Sequence, residues 1–265
     1  MRLPAATFLT LAALLTAGGD AFAWSGPMDS RVIREAVRLM PLSLRGILEN
    51  HVADLTTGAR EASGEENDPL HRLDPAQTGA SAAQRLEEMA VVAVRMIDNH
   101  RPFADVSHQL GAMAHVIGDL NNPLQVSSAD PREGRYAVDY AEYVESNLDR
   151  FPLVFYGWKE PSLDEAPAGV RQFASRIAGR SRPYYRHISR AYAQDNPTPV
   201  ASRFDVRSLP FGIGSLSYSH SVTDTAKVWL YVWKRAHGDL KGTPYLARET
   251  MAPAPVQTAG PGANQ

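Results

Sequence analysis

"LGAMAHVIGDLNNPLQ", residues 110–125, carries a helix and its stop signal. Leu110, Met113, Ile117 and Leu120, preceded by Val106, recur at spacings of three and four, the pattern of an α-helix with an apolar stripe. Asn121, Asn122 and Pro123 end it. His108, Gly111, His115 and Asp119 form a second stripe on the same helix. Two inward stripes, one of them containing a glycine, imply a helix packed on several sides with polar groups aimed at an interior position. His115 and Asp119 are four apart and share a face. A carboxylate removed from water needs a partner, which is either the histidine itself or an ion bound by both.

Outward from this segment the same periodicity recurs. Val32, Ile33, Ala36, Val37 and Met40 make one stripe; Leu44, Ile47, Leu48, His51 and Leu55 make another, which Gly58 closes as a helix C-terminal signal. Further stripes run through Leu86, Met89, Ala93 and Met96, and through Tyr136, Tyr140, Tyr143 and Val144. His51 is expected in the core of its helix. "SYSHSVTDTAKVWLYVWKRAHGD", from Ser217, reads as a long helix that buries Val222, Ala226, Trp229, Leu230 and Trp233. Sustained period-2 alternation is scarce, so the expected fold is all-α. Between Gly58 and Ser81 the composition is that of a long loop, and such loops in compact domains are functional or disordered.

Composition sets the setting. Arg2 precedes the apolar run "FLTLAALL", which ends at Ala21-Phe22-Ala23; residues 1–23 read as a secretory signal peptide. The run falls short of the ~20 residues that span a bilayer, and no transmembrane segment is expected. Cleavage after Ala23 exposes a free α-amino group on Trp24 and places the protein in the periplasm or outside the cell. The chain of 265 residues has no cysteine, so an exported domain must be held by its core or by metal rather than by disulfides. With 44% hydrophobic residues, a single compact domain over 24–244 is expected, followed by a disordered Ala/Pro-rich tail at 245–265. A net charge of −2, with scattered lysine and arginine, provides no footprint for nucleic acid.

The segment at 110–125 resembles the LGxxxHxxxDxxxPxH signature of the zinc-dependent phospholipase C family, whose relatives include the S1/P1 nucleases. "HRLDP" at His71 is similar to a loop segment of that family, "GARE" at Gly58 resembles the turn before that loop, and Trp24 matches the tryptophan with which mature members begin. The resemblance implies an all-α phosphodiesterase built around zinc. His71, His115 and Asp119 would hold one ion, and Trp24, through its amino nitrogen and carbonyl oxygen, would hold a second together with a bridging Asp119. An acidic loop residue would act as base toward water, a part assigned here to Glu61. The implied substrate is a phospholipid or another phosphodiester.

The departures from the signature are equally specific. No histidine follows Trp24 at the family position, where Asp29 and Ser30 are the nearest candidates. The family's loop aspartate falls on Ser63, which leaves Glu61, Glu65 or Glu66 as substitutes; its last signature histidine falls on Gln125, and the His and Glu of the next helix on Ala137 and Ala141. Glutamine is a poor zinc ligand and alanine is none. The cluster is therefore expected to be partly eroded, unless Asp139 or Glu142 rebuilds it. Two alternatives to an active hydrolase stay open: a non-catalytic helical domain that keeps a structural zinc, and a nuclease of the S1/P1 type.

Overall fold

A helix with two buried stripes must lie inside its fold, and it does. The computed structural model describes residues 24, 26–64, 82–126, 137–164, 169–194, 201 and 204–246. In chain order the helices are α1 (Gly26–Leu39), α2 (Leu42–Asn50), α3 (Val52–Ser63), α4 (Ala82–Asp98), α5 (Phe103–Leu120), α6 (Ala137–Ser146), α7 (Pro161–Asp164), α8 (Gly169–Ser181), α9 (Tyr185–Gln194) and α10 (Leu209–Arg235). No β-strand occurs among the described residues. The expected signal peptide, "HRLDP" with His71, and tail residues 247–265 lie outside the described residues.

The last turns of α5, from Met113 to Leu120, are buried on every side, as a helix surrounded by others requires. Its neighbours are α1, α3, α4, α8 and α10. The closest crossing is with α3. A Cβ added to Gly58 would stand 1.9 Å from the carbonyl oxygen of His108, and one added to Gly111 would stand 1.9 Å from that of Leu55. The two glycines face each other's helices, which lets the backbones touch. Gly58 is therefore not the helix terminator that its spacing suggests: α3 runs through it to Ser63, and "GARE" is helical rather than a turn. Gly58 adopts no left-handed conformation. What it supplies is the missing side chain at the seam.

The stripe from Leu44 to Leu55 also differs from its expected form, because the chain breaks at His51 (φ −120°, ψ 23°) into α2 and α3. Turned outward by the break, His51 is half-buried and donates or accepts at Nδ1 with Asp54 Oδ2 at 2.8 Å. The long C-terminal helix begins earlier than expected, at Leu209, where Ser208 Oγ accepts the Phe211 N–H as an N-cap and Pro210 occupies the first turn. Trp229 and Trp233 are core residues as anticipated.

The C-terminal end of α5 is pinned by charge. Asp224 on α10 is buried, and burial pushes its carboxyl above the usual carboxylate range while Arg180 pulls it back. Arg180, on α8, donates to Asp224 Oδ2 at 2.5 Å and to Asn121 Oδ1 at 2.9 Å, and Asn121 Nδ2 donates to Asp224 Oδ2 at 3.1 Å. Three elements thus meet immediately after Asp119.

Candidate metal centre

Four residues gather around one turn of α5. His115 and Asp119 come from α5 itself and are 0% and 2% exposed. Asp29 reaches them from the first turn of α1, where the helix dipole favours an anion. Trp24 precedes that turn, and its indole Nε1 donates to the Gly118 carbonyl at 2.8 Å. Gly118 lies against both: a Cβ there would stand 3.3 Å from Trp24 Cδ1, a tight contact, and 3.5 Å from Asp29 Oδ1, an ordinary one. Trp24, His115 and Asp119 thus lie together, with Trp24 docked by its ring.

The histidine is held from one side and faces a carboxylate on the other. Its Nδ1 lies 2.8 Å from Asp29 Oδ2, and its Nε2 lies 3.4 Å from Asp119 Oδ2. Burial pushes the Asp29 carboxyl up from its ordinary value; His115 lowers it, and the Asp119 charge raises it again. Two carboxyl groups and one imidazole converge in a water-excluded position, and a bound cation would favour the charged form of both acids.

Two donor atoms fit zinc. Ligands ~2.0–2.1 Å from a tetrahedral ion stand ~3.3 Å apart, and His115 Nε2 to Asp119 Oδ2 is 3.4 Å. Among the described residues no group of three or more His, Asp or Glu side chains forms a complete metal-holding set. Asp29 occupies the opposite ring nitrogen, and His71 lies outside the described residues.

The other expected participants sit apart. Glu61, near the end of α3, is exposed, and its Oε2 is 2.8 Å from His108 Nε2. His108 precedes His115 by seven residues, two turns of α5 or ~10 Å. Ser63 is half-buried at the end of α3, Gln125 is half-buried in the turn after α5, and Ala137 and Ala141 are buried on α6. Asp139, a candidate substitute ligand, is committed elsewhere: its Oδ2 accepts from Tyr192 Oη at 2.7 Å and from the Ala201 N–H at 2.6 Å. Glu142 is exposed.

Asp29, named from the sequence only as a candidate for the position of the missing N-terminal histidine, pairs with His115. Its signal was its register, three and four residues before Val32 and Ile33 and so on the buried stripe of α1. An aspartate in that register needs a buried partner, and the partner lies 86 residues away.

No protein-family model matches the chain, and no curated protein sequence does. Solved structures match it. Alpha-toxin of Clostridium perfringens, from an avian strain, aligns with a TM-score of 0.62 at 13% identity, over 83% of this chain and 66% of that one. The chain has the alpha-toxin fold. Alpha toxin of Clostridium absonum aligns with a TM-score of 0.58 at 15% identity, over 81% of this chain and 64% of that one. The chain spans just under two thirds of the length of either toxin. The likeness bears out the all-α fold expected from the sequence.

Proposed function

We propose that the chain is an exported zinc-dependent phosphodiester hydrolase of the phospholipase C type, with a metal cluster reduced from that of the family it resembles. The observation that carries this reading is the buried convergence of His115 Nε2 and Asp119 Oδ2 at a zinc-like separation beside a docked Trp24. The alpha-toxin fold supports it. In this reading residues 1–23 are removed on export, 24–244 form the helical domain and 245–265 trail from it. No helix among the described residues is long and apolar enough to cross a membrane, which agrees with a protein that meets phospholipid from the aqueous side.

Trp24, His71, His115 and Asp119 would hold the metal, with Asp119 shared between two ions. Bound zinc would supply a water of lowered pKa and a positive charge for the phosphoryl oxygens. The chain's own residues provide the dry walls, the fixed imidazole and the pinned end of α5. Glu61 is assigned the part of base toward water.

A second reading, a helical domain that keeps zinc only for stability, is favoured by one observation. Ala137 and Ala141 place methyl groups at two expected ligand positions, and Asp139, their nearest acidic neighbour, already accepts two hydrogen bonds. One experiment separates the readings: elemental analysis of protein processed to begin at Trp24, alongside hydrolysis of a chromogenic choline phosphodiester. The hydrolase reading expects one or two zincs per chain and slow, chelator-sensitive turnover. Zinc without turnover selects the structural role, and absence of zinc removes both readings. A form extended before Trp24 should bind less zinc, because its α-amino nitrogen is acylated; equal stoichiometry would take Trp24 out of the site.

A further inference from the structure

We propose that Asp29 is a positioning residue: it accepts the Nδ1–H of His115 and so keeps the unprotonated Nε2 turned toward Asp119. This deepens the zinc reading above and rests on it. A neutral imidazole has one donor and one acceptor nitrogen, and nothing in the ring itself decides which is which. A carboxylate can only accept, and the imidazole beside Asp29 opposes the rise that burial imposes on it. With Asp29 Oδ2 accepting at 2.8 Å, Nδ1 is the donor and Nε2 keeps the lone pair that a metal would use, on the side where Asp119 Oδ2 stands 3.4 Å away. Metal-bound histidines recurrently use such a carboxylate behind the ring, and its removal typically weakens metal binding ~10–100-fold.

The placement is built rather than incidental. Asp29 belongs to a different helix from His115, so the ring's orientation is set by the packing of α1 on α5. Asp29 is 5% exposed, which leaves little water to compete for the Nδ1–H. Its other oxygen, Oδ1, lies against Gly118, as Trp24 does. Asp29 acts from behind the ring and is not itself a ligand.

The test uses processed full-length protein, stripped of metal, with His115 assigned by comparison with His115→Gln. Long-range proton–nitrogen NMR reads the tautomer, and competition with a chromogenic chelator reads zinc affinity and stoichiometry. Wild type is expected as the Nδ1–H tautomer. Asp29→Ala should lose that preference and bind zinc ~10–100-fold more weakly at unchanged stoichiometry, while Asp29→Asn, which keeps an acceptor oxygen, should retain the tautomer and most of the affinity. An Nε2–H tautomer in wild type overturns the proposal, and that spectrum needs no variant to fold. So does zinc affinity of Asp29→Ala within twofold of wild type, or the loss of a whole ion, which would make Asp29 a ligand. If wild type binds no zinc, the hydrolase reading fails by itself, and the tautomer alone decides for Asp29: lost in Asp29→Ala supports its role, retained overturns it.

Discussion

Replacing Gly111 by alanine should damage the protein more than any generic glycine substitution, and the structure says by how much. The added Cβ would stand 1.9 Å from the Leu55 carbonyl oxygen. A carbon–oxygen contact needs ~3.3 Å or more, so α3 and α5 must separate by more than about 1 Å at their crossing. A gap of that size forfeits roughly half of each dispersion contact along the seam, and overpacking of this kind typically costs ~1–3 kcal/mol, occasionally more. Alanine's better helix propensity returns about 1 kcal/mol. Because the obstacle is backbone and cannot swing away, the upper end of that range applies, and a net loss of about 2 kcal/mol is expected, or ~4–8 °C in Tm at the ~2–4 °C per kcal/mol of domains this size. The control is Gly46→Ala on α2, where a Cβ would meet nothing within 4 Å; there the same substitution should be neutral or stabilise by up to ~1 kcal/mol. Thermal and urea unfolding followed by circular dichroism measures both. If the two variants shift stability equally, or if Gly111→Ala stays within about 0.5 kcal/mol of wild type, the contact between the backbones is not what holds α3 to α5.

Other outcomes follow from the site and its surroundings. Asp119→Ala should empty the site of both ions and His71→Ala of one, so equal losses in elemental analysis would point to a single-ion site. Glu61→Gln should slow hydrolysis at least tenfold with zinc content unchanged if Glu61 is the base; full activity would remove it from that role. Gln125→His combined with Ala137→His and Ala141→Glu should add one zinc per chain, and unchanged stoichiometry would mean that α6 does not face the cluster. Burial, with Arg180 and Lys227 nearby, lowers His220 to about 4 from the ordinary imidazole value of 6.5. Between those two values the unfolded chain binds a proton that the folded chain refuses, so stability is full above ~6.5 and falls as pH drops toward 4. His220→Gln should flatten that part of the pH–stability curve, and an unaltered slope would show that His220 does not cause it.

Helices were legible in the sequence where burial was one-sided. The stripe of α1 and the Trp-rich part of α10 follow a 3.6-residue period because one face meets the core, and the His115–Asp119 pair was visible because local spacing alone puts both on one face. Gly58 misled for a physical reason: a glycine that ends a helix and one that admits a neighbouring backbone look alike until the neighbour, fifty residues on in the sequence, is in place. The start of α10 was hidden by Gly212 and Gly214, although Ser208 and Pro210 marked it. Asp29 and the Arg180–Asp224–Asn121 network are partnerships between distant residues, 86, 44 and 103 positions apart. Pattern reading flags a polar residue on a buried face, but only the fold supplies its partner.

The enclosure of the second half of α5 also bears on how the protein moves. Amide hydrogens exchange through local opening where a helix is lightly packed, and only through global unfolding where it is not. From Met113 to Leu120 no face of α5 is open to solvent, and the Arg180–Asp224–Asn121 network holds its end against fraying. The amides around His115 and Asp119 should therefore be among the last in the protein to exchange, at rates set by overall stability, while those of α4 near the exposed Val91 and Val92 exchange earlier. A candidate ligand pair carried on such a segment has no independent breathing mode: whatever loosens its geometry must loosen the whole domain.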